Sequence, residues 1–144
     1  MKIPIEILLV EDNPAERRLI REVFDENEHP VNITGVEDGI KAMDCLYKKG
    51  KYKNYKTPSL IILDLSLPTK SGFEVLEEIK TEDKLKHIPV VVLTGSKDDS
   101  DIFESYNRHA NACMDKSLNF DKFTENIRGF RNYWFNNVIL PKNE

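Results

Sequence analysis

The sequence predicts a doubly wound α/β domain on a parallel sheet, and three observations predict it. Short apolar runs rich in β-branched residues recur along the chain. Each is followed by a polar cluster, and then by a segment whose apolar residues repeat at spacings of three and four. Within the runs apolarity is nearly continuous rather than alternating, which marks strands covered on both faces.

The first run, Ile5-Glu6-Ile7-Leu8-Leu9-Val10, is such a strand, and the helix after it carries Ala15, Leu19, Ile20, Val23 and Phe24 on one stripe. That helix has a sharp start: Asn13 can cap it, Pro14 suits its first position, and Glu16 sits where a capping-box carboxylate belongs. The alternating run Val31 to Val36 reads as a strand nearer the sheet edge, followed by a helix with Ile40, Met43, Leu46 and Tyr47. Leu60-Ile61-Ile62-Leu63 is the third strand, with Phe73, Leu76 and Ile79 on its helix. Val90-Val91-Val92-Leu93 is the fourth, with Ile102, Phe103, Tyr106 and Ala110 after it, and Ala112-Cys113-Met114 is a short fifth. The last helix, from about Phe120, carries Phe123, Ile127, Phe130, Trp134 and Val138, a stripe that outlasts a normal domain-closing helix. The one long connection, Gly50 to Pro58, reads as a surface loop.

Composition bounds the function. The chain has 144 residues, 21 basic and 25 acidic, for a net charge of −4, with 40% apolar and 32% charged residues. This is one domain with an ordinary core, not a disordered or collagen-like chain. Its longest apolar runs fall far short of the roughly 20 residues a bilayer span needs. Glu6 interrupts the stretch where a secretory signal would be continuous, so a cytoplasmic chain without membrane partners is expected. Cys45 and Cys113 lie far apart and read as reduced thiols, and His29, His87 and His109 show no ligand spacing. Five lysines between Lys48 and Lys56, with three tyrosines from Tyr47 to Tyr55, resemble a nucleic-acid footprint. The acidic balance and the lack of a groove-reading motif argue instead for a solvated loop without a nucleic-acid partner, leaving a docking surface for an acidic partner open.

In an open parallel sheet, ligands bind beyond the carboxyl ends of the strands. Glu11 and Asp12 follow strand one, Asp64 ends strand three, Thr94 ends strand four, and Lys116 follows strand five. Crowded carboxylates raise one another's pKa unless a cation lies among them, and hard oxygen donors suit Mg²⁺. A lysine and a hydroxyl beside them suit phosphoryl oxygens, which points to phosphoryl transfer onto an aspartate.

At these residues the sequence resembles the receiver domains of two-component response regulators, over residues 5 to about 128. The motifs are Leu9-Val10-Glu11-Asp12-Asn13-Pro14, Leu63-Asp64-Leu65-Ser66-Leu67-Pro68 with Gly72 eight positions after the aspartate, Val92-Leu93-Thr94-Gly95, and Met114-Asp115-Lys116-Ser117. The resemblance implies a flavodoxin-like five-stranded parallel sheet in the order 2-1-3-4-5 with five helices, the last extended. It implies that Asp64 accepts a phosphoryl group from a histidine kinase's phosphohistidine. Asp12 and Asp64 would ligate Mg²⁺, with Glu11 acting through a bound water and the Ser66 backbone carbonyl completing the set. Thr94 would hydrogen-bond the phosphoryl group and Lys116 would pair with it. Two positions depart from the pattern: the aromatic switch position is Cys113, and the proline that commonly follows the lysine is Ser117.

The expected organisation is a receiver over 1-128 and a helical tail over 129-144. It is similar to stand-alone regulators that partner phytochrome-type histidine kinases and dimerise through an extended last helix. Phe130, Tyr133, Trp134, Phe135, Val138, Ile139 and Leu140 supply the candidates, since Tyr133 to Leu140 cannot all face one core. A tail folded back over its own domain is the alternative. Two other function classes stand beside the switch: a phosphorylation-independent docking adaptor, and a haloacid-type phosphatase. The latter is disfavoured because Ser66 occupies the place of its second aspartate.

Overall fold

The computed structural model describes residues 3–26, 28–95 and 98–142. Five strands, β1 (Ile5–Val10), β2 (Val31–Val36), β3 (Leu60–Asp64), β4 (Val90–Thr94) and β5 (Ala112–Asp115), form one parallel sheet in the order β2-β1-β3-β4-β5. Helices α1 (Pro14–Asp25), α2 (Gly39–Leu46), α3 (Gly72–Thr81), α4 (Asp99–Asn107) and α5 (Phe120–Asn132) connect and cover it. The expected architecture and strand order are what the chain adopts.

Alternate side chains of the central strands feed two cores. Leu8, Val10, Ile61, Leu63, Val90 and Val92 face α2 and α3. Ile7, Leu9, Leu60, Ile62, Val91 and Leu93 face α1 and α5. Burial on both faces is why β1, β3 and β4 lack polar alternation. Register sets Asp64 opposite Leu93 and Thr94 opposite Asp115, so the strand ends carrying the candidate residues lie along one edge.

Two helical stripes depart from expectation. On α2, Ile40 is 53% exposed while Ala42, Met43, Cys45 and Leu46 are buried, so the buried face is rotated toward the helix end. On α4, Phe103 and Tyr106 are exposed and only Ser105 is buried within the helix. The Ser105 hydroxyl donates to the Asp101 carbonyl at 2.9 Å, which satisfies its polarity within the helix and lets the small residue face inward.

The tail resolves differently from a straight continuation. Regular α5 ends at Asn132, and a π-helical turn over Tyr133–Asn137 follows, closed by the Val138 N–H donating to the Tyr133 carbonyl at 3.1 Å. The wider turn swings the aromatics onto the domain's own second core. Phe135 meets Phe24 edge-on with ring centroids 5.4 Å apart, Phe130 meets it at 6.0 Å, and Trp134 and Leu140 pack alongside. Four of the seven dimer candidates are therefore engaged within the chain; Tyr133 stays 56% exposed, Val138 is half-buried and Ile139 is 98% exposed. Arg128 reinforces the arrangement by pairing with both Glu26 carboxylate oxygens at 3.0 Å, and Arg131 donates to the Val23 carbonyl at 2.6 Å.

The lysine-rich connection is more ordered than a solvated loop. It contains a 3₁₀ turn at Gly50–Tyr52, and Tyr52 and Tyr55 pack on the first core. The Tyr47 hydroxyl donates to Glu78 at 2.7 Å. All three tyrosines thus have partners within the fold. Among the described residues no helix is long and apolar enough to cross a membrane.

Candidate functional site

Each site residue is delivered by the end of a strand. The β1 end places Glu11 fully buried and Asp12 exposed, and the chain turns at once into α1 because Asn13 Oδ1 accepts from the Ala15 and Glu16 N–H groups at 2.9 and 3.2 Å. Asp64, 1% exposed, is the last residue of β3. Its Oδ1 accepts from the Ser66 N–H at 3.0 Å, so one carboxylate oxygen is held by the following turn. Behind it, the Gly72 N–H donates to the Leu65 carbonyl at 3.1 Å. A Cβ on Gly72 would lie 2.5 Å from the Asp64 carbonyl oxygen, so only glycine lets α3 start this close. Thr94 is buried at the β4 end, and its carbonyl accepts the Lys116 N–H at 2.9 Å, which anchors the lysine backbone beside it.

Carboxylate oxygens of Glu11, Asp12 and Asp64 lie within 4.8 Å of one another. Lys116 Nζ reaches into the same space, donating to Asp64 Oδ2 at 2.8 Å, Glu16 Oε2 at 3.0 Å and Glu11 Oε1 at 3.1 Å. Glu16 is the member the sequence reading missed. It fits the capping box by spacing, yet its carboxylate turns away from the helix start to the lysine; the Asn13 N–H instead faces Glu11 Oε2 at 3.4 Å. A spacing rule cannot reveal a partner 100 residues away.

The electrostatics follow from three acids around one cation. Burial, then hydrogen bonding with Asp64 and Glu16, pushes the Glu11 carboxyl up to about 10. Hydrogen bonding from Glu11, and then the Lys116 ammonium, hold Glu16 below its ordinary value. For Lys116 burial acts downward but is outweighed by the carboxylates of Asp64, Glu16 and Glu11, so its pKa is raised and it stays charged. A buried carboxyl that must keep a proton to coexist with its neighbours is the mark of a site short of positive charge. Oxygen-only donors of this kind fit a hard divalent cation.

Cys113, expected at the switch position, is half-buried, its thiol pushed up by burial, and Cys45 is pushed up to about 11 by the same cause, so both remain protonated thiols. The Cys113 N–H donates to the Tyr106 hydroxyl at 3.2 Å, which brings an aromatic from α4 against β5. No peptide bond among the described residues is cis. The three histidines take no part in the acidic cluster.

The chain is similar to known proteins over nearly its whole length. Residues 7–128 match the family model of the response regulator receiver domain. The chain is 43% identical over 138 residues to "Response regulator Rcp1" of Synechocystis sp. (strain ATCC 27184 / PCC 6803 / Kazusa), covering 96% of this chain and 94% of that protein. Its fold superposes with a TM-score of 0.94 on the crystal structure of the phosphorylated cyanobacterial phytochrome response regulator RcpA, at 43% identity over 97% of this chain and 100% of that one. It superposes with a TM-score of 0.93 on the Mn²⁺-bound form of response regulator Rcp1, at 42% identity over 96% and 100% of the two chains.

Proposed function

Since the chain belongs to the response regulator receiver family, we propose that it is a single-domain switch which accepts a phosphoryl group on Asp64 and signals through its surface, without turning over a substrate. The observation that carries this is the buried Asp64 carboxylate held between the Ser66 N–H and the Lys116 ammonium, with Glu11 and Asp12 within 4.8 Å. Asp12 and Asp64 would hold Mg²⁺ directly, with the Ser66 carbonyl, and Glu11 through a water. When bound, such an ion neutralises the crowded carboxylates and the incoming phosphoryl oxygens. An Asp64 oxygen forms the new bond to phosphorus while the bond from phosphorus to the donor's imidazole nitrogen breaks. Lys116 supplies a fixed positive charge at the acceptor oxygen, and Thr94, buried at the adjoining strand end, offers its hydroxyl to the transferred group.

The added group brings roughly −1.5 to −2 charge at neutral pH. It gives Thr94 and its loop a partner absent before, and differential bonding of that sort shifts a two-state equilibrium. The exposed Phe103 and Tyr106 lie on α4, the helix after β4, and the Tyr106 hydroxyl ties that helix to β5 at Cys113, so this is a surface such a change can move. The donor is a histidine kinase of the cytoplasm, and likeness to the phytochrome response regulator RcpA supports a phytochrome-type one. The receiver unit is 1-128, with 129-144 as an appended tail.

Incubation with a small acyl phosphate and Mg²⁺, comparing the wild type with Asp64→Asn, tests the reading. Stoichiometric labelling lost in Asp64→Asn is expected. Multiple turnover would make the protein a phosphatase, and no labelling would make it a docking adaptor.

A further inference from the structure

An ammonium has three N–H bonds, and Lys116 spends all three on carboxylates. Two of these, Asp64 and Glu11, belong to the site described above. The third, Glu16, lies on the first turn of α1, outside the cluster whose oxygens could share an ion. Nothing in the helix requires it to turn inward. Asn13 caps α1 alone, and a capping-box partner in that position would have reached back to the Asn13 N–H. Glu16 is 29% exposed in its side chain, so water was available to it, and it pairs with the lysine instead.

Resting on the phosphoacceptor reading, we propose that Glu16 is a positioning residue for the chemistry at Asp64: its carboxylate tethers the Lys116 ammonium beside the acceptor oxygen. A lysine on a four-carbon stem loses much rotamer freedom when fixed at one point, and needs a partner to hold it there. Of its three acceptors, Glu11 and Asp64 lie among the oxygens that would receive an ion and a phosphoryl group. Glu16 lies outside them and would give up at most its hydrogen bond with Glu11, so its bond to the ammonium can persist throughout. The backbone end of the same side chain is fixed by the Lys116 N–H on the Thr94 carbonyl, so Glu16 completes a two-point hold.

Reach and charge separate in two variants. Glu16→Gln keeps an oxygen at the same distance and removes the charge; Glu16→Asp keeps the charge and withdraws the oxygen by one methylene. Labelling of Asp64 by acetyl phosphate with Mg²⁺ should slow about tenfold in Glu16→Asp and Glu16→Ala, within the range that misplacement of a catalytic group costs. Glu16→Gln should stay within about threefold of wild type. A second readout needs neither ion nor phosphodonor: in the ¹⁵N-lysine spectrum of the metal-free chain, hydrogen exchange of the Lys116 ammonium should quicken in Glu16→Asp and Glu16→Ala. Denaturant midpoints identify any variant whose fold is weakened. Wild-type labelling in Glu16→Asp, with Glu16→Gln and Glu16→Ala changed alike, would reduce Glu16 to a surface charge. Unchanged labelling and exchange in all three would remove the role altogether. Absence of labelling in the wild type would overturn the phosphoacceptor reading instead, and the ammonium exchange would still decide whether Glu16 is the tether.

Discussion

Glu11 is fully buried, and its carboxyl is pushed up to about 10, first by burial and then by the neighbouring Asp64 and Glu16. The folded, metal-free chain therefore holds a proton that the unfolded chain gives up near the ordinary value of 4.5. Native protein binds the extra proton across that interval, so stability should fall as pH climbs from 4.5 toward about 10. Glu11→Gln mimics the protonated acid at the same size. Its denaturant midpoint should exceed that of the wild type at pH 9, with a flatter slope between pH 6 and 9. The same proton competes with a divalent ion, so Mg²⁺ affinity should rise with pH over this range and binding should release a proton. Titration calorimetry in two buffers of different ionisation enthalpy measures that release; a flat affinity with no proton released would show that Glu11 is already ionised. Sequence made Glu11, Asp12 and Asp64 legible because each sits at the carboxyl end of a strand within a short motif, whereas Lys116, one of 21 basic residues, was legible only through the family resemblance. Glu16 was not, because a local rule already explained it.

Elements were legible where burial is two-sided and less so where it is partial. The runs Ile7 to Val10, Leu60 to Leu63 and Val90 to Leu93 are wholly buried, and nothing else suits such a run in a chain of this length. On α4 the apolar residues outnumber the one buried position, and on α2 the buried face takes Gly39 and Cys45 rather than Ile40, so periodicity alone chose Ile40 and Phe103 where the packing uses Cys45 and Ser105. The tail's stripe runs on at helical spacing through Trp134 and Val138, so periodicity could not show the π-turn that seats Phe135 on Phe24. Two substitutions test these placements. Gly72→Ala puts a methyl group 2.5 Å from the Leu65 Cα and the Asp64 carbonyl oxygen, where only backbone can give way. It should cost about 1–3 kcal/mol, or more, in chemical denaturation and slow labelling of Asp64, because β3 and α3 must part. Phe130→Ala, at a position 8% exposed between Phe24 and Trp134, should cost about 3–5 kcal/mol. A loss under 1 kcal/mol would mean the tail does not pack on the second core.

For the whole molecule, the acidic pole and the tail lie at opposite ends of the sheet: Glu11 and Asp64 stand at the carboxyl ends of the strands, while Trp134, Phe135 and Leu140 line a cleft of about 750 Å³ with Ile5 and Ser59 at the amino ends. A dimer formed through the tail must then use what the fold leaves outward. Phe130, Trp134, Phe135 and Leu140 already serve the core, so cutting the chain after Gly129 would unseat the second core along with any interface. Tyr133 and Ile139 remain, at 56% and 98% exposed, with Val138 half-buried between them. A β-branched side chain so exposed contributes nothing to the isolated domain, which makes it a clean probe. Ile139→Asp should leave the denaturant midpoint within about 0.5 kcal/mol. If the tail joins two copies, the same substitution should shift the sedimentation coefficient from dimer to monomer, and Tyr133→Ala should do so in part. Measuring both before and after labelling of Asp64 tells whether charge gained at one pole is felt at the other. A wild type that sediments as a monomer in both states would confine the tail to closing its own domain, leaving the α4 surface to carry the signal.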